Sequence, residues 1–132
     1  MTSQQDIPYQ RRSMDALGQE ARFNYAASFM RYQWPSFLPK LEGLAGRQIT
    51  LRTAASGERR FVRCKTGELA SVRHTAGGDE ITIGVRDQNG TAMHVIEHPL
   101  RVEVAGRDES SPCRVDFVGR DGGRTRLELA DT

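Results

Sequence analysis

Pro112-Cys113-Arg114-Val115-Asp116-Phe117-Val118-Gly119-Arg120-Asp121-Gly122-Gly123-Arg124-Thr125-Arg126-Leu127-Glu128-Leu129 is the stretch that decides the fold. On either side of Arg120-Asp121-Gly122, apolar and charged residues alternate with the period of a half-buried strand. A three-residue loop with Gly122 left-handed folds the two runs into a hairpin. It sets Val115 opposite Leu127, Cys113 opposite Leu129, Asp116 opposite Arg126 and Arg114 opposite Glu128. Moving the loop on by one residue would set Asp116 against Glu128, and like charges directly opposite are destabilising. The first register is therefore the expected one.

The same period extends back to Arg47. Strands are expected near 47–54, 59–65, 69–74, 80–87, 92–97, 100–105, 112–118 and 124–130, with glycines between them. Asn89-Gly90 is a second hairpin signal, since both residues accept positive φ in a type I′ turn. Taken as the loop, it sets Val85 opposite His94 and Ile83 opposite Ile96. Short runs joined by tight turns imply an antiparallel meander, either a curved sheet or a small barrel of about six to eight strands.

Before Arg47 the apolar spacing is helical. Met14, Leu17, Ala21, Tyr25 and Phe29 recur at three and four and predict a helix over 14–31, with Ser13 suited to cap it. Trp34-Pro35-Ser36-Phe37-Leu38 predicts a second, short helix, because proline fits the first helical turn; Pro39 is expected to shorten or kink it. The expected class is α+β, mainly β: a mobile tail at 1–12, then one domain over 13–132, helical over 13–45 and antiparallel β over 46–132. Trp34, Phe37, Leu41, Ile49, Leu51, Ile83, Leu100, Val102, Val104, Val115 and Leu127 are the expected core.

At 132 residues, 37% hydrophobic and 27% charged, the chain has the size and composition of one globular domain. No apolar run approaches the roughly 20 residues of a membrane span. Met1–Gln10 lacks the apolar stretch of a signal peptide, so a cytoplasmic location with Cys64 and Cys113 unpaired is expected. The net charge of +2 hides an asymmetry: residues 47–76 carry +5 and residues 77–132 carry −4. Either the two parts face each other in the sheet and neutralise, which is the favoured reading, or the basic part forms a polyanion surface.

The chain resembles an uncharacterised bacterial family of small β-rich proteins, a domain of unknown function. The residues that carry the resemblance are Trp34-Pro35-Ser36-Phe37-Leu38 ahead of Gly46, Ile49-Thr50-Leu51, His94-Val95-Ile96-Glu97-His98-Pro99, and Asp121-Gly122 before Leu127. It covers about residues 33–130. Ala45 stands where a polar residue or histidine is the family habit, and Pro39 interrupts the usual helix. The resemblance implies a β-rich fold and no particular activity.

Chemistry-bearing motifs are sparse. His94 and His98 would point to one face of a strand but lie about 13 Å apart, too far to share a metal. Lys65-Thr66 runs into Gly67 and a strand, not into the helix that a phosphate loop needs. Asp79-Glu80 and Asp108-Glu109 read as solvated loop charge. No cofactor or metal is called for, and catalysis is not favoured. Three functions remain. The first is an interaction module in which the aromatic segment (Phe23, Tyr25, Ala27, Phe29, Met30) meets a partner or a second copy in a homodimer. The second is nucleic-acid binding through Arg52, Arg59, Arg60, Arg63 and Lys65, with Phe61 as a stacking surface. The third is a ligand-binding or enzymatic barrel with its pocket near His94 and His98.

Overall fold

The structure, a computed structural model, describes residues 24–75, 77 and 79–130. The chain enters as strand β1 (Tyr25–Met30), makes a 3₁₀ turn (Arg31–Gln33) and then helix α1 (Trp34–Glu42). Seven strands follow: β2 (Gln48–Ala54), β3 (Val62–His74), β4 (Glu80–Asp87), β5 (Gly90–Glu97), β6 (Pro99–Gly106), β7 (Pro112–Gly119) and β8 (Arg124–Leu129). All eight form one antiparallel sheet in the order β1-β6-β7-β8-β2-β3-β4-β5, curled and open, with β1 and β5 as its edges. The expected mainly β class, with its helix confined to the first 45 residues, is what the fold shows.

One expectation fails at β1. Residues 14–23 of the expected helix lie outside the described residues, but Tyr25–Met30 is a strand paired antiparallel with β6, from Tyr25↔Gly106 to Met30↔Arg101. Tyr25 and Phe29 satisfy both periods, being four apart. The strand period adds Ala27 to the same side and turns Ala26, Ser28 and Met30 outward, and the burial alternates accordingly. Pairing with β6 satisfies a whole backbone edge, which local helix propensity cannot match.

Helix α1 plugs the concave side of the sheet. Trp34, Phe37, Leu38 and Leu41 recur on one side of it and are all buried, Trp34 completely. Pro35 sits in the first turn, as the sequence implied, and Pro39 is accommodated on the exposed side without ending the helix. The Trp34 indole N–H donates to the Phe29 carbonyl at 3.2 Å, which ties α1 to β1. Glu42 pairs with Arg73 of β3 at 3.0 Å. Gly43 caps the helix, and beyond it Gly46 takes φ +95 and donates its N–H to the Leu69 carbonyl at 2.8 Å.

The β7–β8 hairpin has the expected register, with Val115↔Leu127 and Asp116↔Arg126 opposed and Gly122 left-handed at φ +93. The β4–β5 hairpin does not. Asp87 pairs with Gly90, so the loop is Gln88-Asn89, Ile83 faces His94 and Val85 faces Ala92. The Asp87 carboxylate accepts the Asn89 N–H at 2.8 Å, and the only positive φ in the turn falls on Gly90 at +119. This side-chain lock shifts the register two residues from that of a type I′ loop.

β3 is one long strand where two were expected. Between its pairs Leu51↔Lys65 and Arg52↔Arg63 the register slips, leaving Cys64 as the extra residue of a bulge. All the expected core residues are buried except Leu100, which is 38% exposed. It falls in the irregularity between Pro99 and Arg101 at the start of β6, where the alternation breaks.

Candidate functional site

Among the described residues, a cavity lies where α1, β1, β6 and the β6–β7 connection meet. It measures about 530 Å³ and is lined by Tyr25, Phe29, Phe37, Leu41, Leu44, Val104 and Pro112, with Lys40, Glu109 and Ser110 at its rim. Each wall follows from the pairing. β1 turns Tyr25 and Phe29 to the concave side, β6 contributes Val104, and α1 contributes Phe37 and Leu41 from its buried side. The Phe29 and Phe37 rings stack, centroids 4.0 Å apart and planes 11° from parallel. Two rings from different elements thus make one rigid aromatic wall.

The opposite rim is held by a tight turn. The Asp108 carboxylate accepts from the Ser110 N–H at 2.9 Å and from its hydroxyl at 2.8 Å. That hydroxyl bond is the main cause holding the Asp108 carboxyl below its usual range. The turn closes against Gly106, where any Cβ would lie 2.4 Å from the Ser111 carbonyl oxygen. Glu109 and Ser110 are thereby set in the lining of the cavity, to which Lys40 also contributes. Asp108-Glu109, expected as plain loop charge, places its second carboxylate at the cavity.

The residues expected at an interaction surface divide. Phe23 lies outside the described residues. Tyr25 and Phe29 line the cavity, and Ala27 is half-buried on their side. Met30 points outward, 40% exposed, beside Tyr32 and Leu100.

The basic residues also divide. On the convex face an ionic ladder crosses β6, β7, β8 and β2. Arg101 meets Glu103 at 2.7 Å, Arg124 bridges Glu103 at 3.0 Å and Asp116 at 3.4 Å, Arg126 holds Asp116 at 2.8 Å, and Arg52 holds Glu128 at 2.9 Å. The Arg126 guanidinium also lies 4.1 Å over the Phe61 ring, on the surface a stacking base would need. Arg52 is therefore neutralised and one face of the Phe61 ring is covered. Arg59, Arg60 and Arg63 are exposed and make no ion pair among the described residues. Lys65 lies opposite inward-facing Leu51 while Arg63 lies opposite Arg52. The bulge at Cys64 thus splits a face the sequence pattern had united.

His94 is half-buried opposite Ile83. Burial, then the nearby charge of Lys65, pushes its pKa down. His98 stands apart at the corner between β5 and β6 with φ +50, its N–H donating to the Asp79 carbonyl at 2.7 Å and its carbonyl accepting from the Arg120 N–H at 2.9 Å. The cavity beside α1 is lined by neither. No group of three or more His, Cys, Asp or Glu that could hold a metal occurs among the described residues. Cys64 and Cys113 form no disulfide, and burial raises the Cys64 thiol, away from thiolate reactivity. Among the described residues no helix is long and apolar enough to cross a membrane.

No family model and no curated protein matches the chain. Among solved structures it is similar to the crystal structure of ChuX, with a TM-score of 0.49 and 12% identity, covering 81% of this chain and 64% of that one.

The sequence reading missed the cavity. Its signal was the i, i+2, i+4 recurrence Tyr25-Ala27-Phe29, which is also part of the helical stripe.

Proposed function

We propose that the chain is a small-molecule binding module whose site is the cavity between α1, β1 and β6. The ligand is amphipathic: an apolar body lies along the Phe29–Phe37 wall, and an anionic group turns toward Lys40. The observation that carries this reading is the cavity itself. Its volume of about 530 Å³ lies in the range of ligand pockets, and its walls are apolar with polar groups converging only at the rim. The expected interaction surface supports it too, because Tyr25 and Phe29 are spent on the cavity wall. The nucleic-acid reading loses Arg52 and Phe61 to the ladder.

Anilinonaphthalene sulfonate, an aromatic body with one anionic group, is a suitable probe. Titrated into the native full-length chain, it should brighten saturably, with energy transfer from Trp34, the single tryptophan, which is one turn from Phe37. K40A should weaken binding about fivefold by removing one exposed charge. L44W should fill the cavity and abolish binding, read by direct excitation of the dye. Both variants and the wild type must unfold cooperatively, so that dye uptake by loosened chains is set aside. Binding untouched by L44W would overturn the proposal.

A further inference from the structure

We infer that β5 is a self-pairing edge, through which two copies of this chain join their sheets about a twofold axis at His94. The inference is independent of the cavity. β5 closes the strand order, pairing with β4 and with no other strand among the described residues. Among the described residues its far-side backbone N–H and C=O groups therefore have no strand partner, and such an edge is a template for another strand. Proteins that keep such an edge single guard it with proline, lysine, a bulge or inward charge. Gly90–Glu97 has none of these: it holds no proline or lysine, and its pairing with β4 runs without a shift. It instead exposes two large apolar side chains on one face, Met93 at 55% and Val95 at 47%. The other edge, β1, turns out the smaller Ala26 and Ser28 through its middle.

What selects a second copy as the occupant is the strand's own symmetry. In a twofold antiparallel pair centred on His94, Met93 faces Val95 of the second copy, and Val95 faces its Met93. Ala92 faces Ile96, and Thr91 faces Glu97, the only charged residue of the strand. All of 91–97 is used and no like charges oppose. Centring on Val95 would put Met93 against Glu97, and centring on Glu97 would oppose two carboxylates. Odd residues meet odd and even meet even, so side chains stay on matching faces and the ladder hydrogen bonds can form. The dimer is one continuous sheet with four apolar side chains clustered across its convex side.

The test is sedimentation of the full chain, with M93K/V95K as the disrupting variant. Both positions are exposed, so the fold should survive, and an unchanged circular dichroism spectrum with a melting point equal to that of the wild type at a dilution where the wild type is monomeric establishes that it does. The wild type is expected to be dimeric at high concentration and to dissociate on dilution, and M93K/V95K to remain monomeric throughout. H94C, in a C64S/C113S background, should form a disulfide-linked dimer under mild oxidation, because the axis brings residue 94 against itself. A monomeric wild type at several hundred micromolar overturns the inference. So does a dimer that survives M93K/V95K, and a dimer lost in that variant but not locked by H94C overturns the twofold register.

Discussion

Replacing Asp116 by asparagine should expose how much of this fold rests on its convex ladder. Asp116 is 5% exposed and accepts from Arg126 Nε at 2.8 Å, Arg126 Nη2 at 3.0 Å and Arg124 Nη1 at 3.4 Å. Asparagine keeps the shape but removes the charge, and its amide N–H₂ turns a donor toward two guanidinium groups. Breaking a fully buried pair from one side costs about 3–5 kcal/mol. Here the cations are not fully buried: the Arg126 and Arg124 side chains are 23% and 34% exposed, and Arg124 keeps Glu103. The expected loss is therefore about 2–3 kcal/mol, scaled down from the buried case and near the strength of hydrogen bonds to charged groups. For a chain of this size that is a fall of about 10 °C in melting temperature. Urea denaturation of D116N, R126M and the double variant closes a cycle. The double variant should recover part of the loss, since the second partner is then no longer stranded. A loss below about 0.5 kcal/mol for D116N, typical of an ordinary surface change, would refute the view that this carboxylate organises the ladder.

Three further outcomes follow from single residues. Burial pushes the Glu103 carboxyl up, but hydrogen bonds and charge from Arg101 and Arg124 outweigh it and hold it below its ordinary value. Its contribution is then present above the usual carboxylate pKa of about 4.3 and lost as pH falls through the lower folded value, so E103Q should lose less stability between pH 5 and 3 than the wild type. At residue 98, which has φ +50, glycine should be more stable than alanine by about 1 kcal/mol in thermal melts, the reverse of their order in ordinary strand or helix positions. G67A should cost about 2–3 kcal/mol by urea denaturation, because its Cβ would lie 2.4 Å from the Arg86 carbonyl oxygen, in the backbone of β4.

Where side chains alternate and turns are short, this fold was legible in the sequence. The β7–β8 register followed from the Gly122 turn and from charge, since shifting the loop by one residue would oppose Asp116 to Glu128. The β4–β5 register did not, because Asn89-Gly90 fits a type I′ loop and the Asp87 side chain that locks a different turn acts through one hydrogen bond. The bulge at Cys64 was equally silent: a single extra residue leaves composition and period unchanged yet moves Lys65 to the face opposite Arg63. At β1 the two periods coincide at Tyr25 and Phe29, and a partner about 75 residues away along the chain decides between them.

The cavity was hidden for the same reason. Its walls come from β1, α1, β6 and the turn after β6, and no local pattern joins Phe29 to Val104 or Lys40 to Glu109. What the sequence did reveal was an excess of aromatic residues in 23–37, more than a nine-residue helix can bury by itself. That excess has a physical use once β1 is a strand. Phe29 stacks on Phe37 across two elements, Trp34 bonds the Phe29 backbone from beneath, and Tyr25 stands free to line the opening. A helix over 25–30 would also put Tyr25 and Phe29 on one face, but it could not pair with β6 and set that face beside Val104. As a strand they stand in one row, which turns an aromatic surplus into one wall of a cavity.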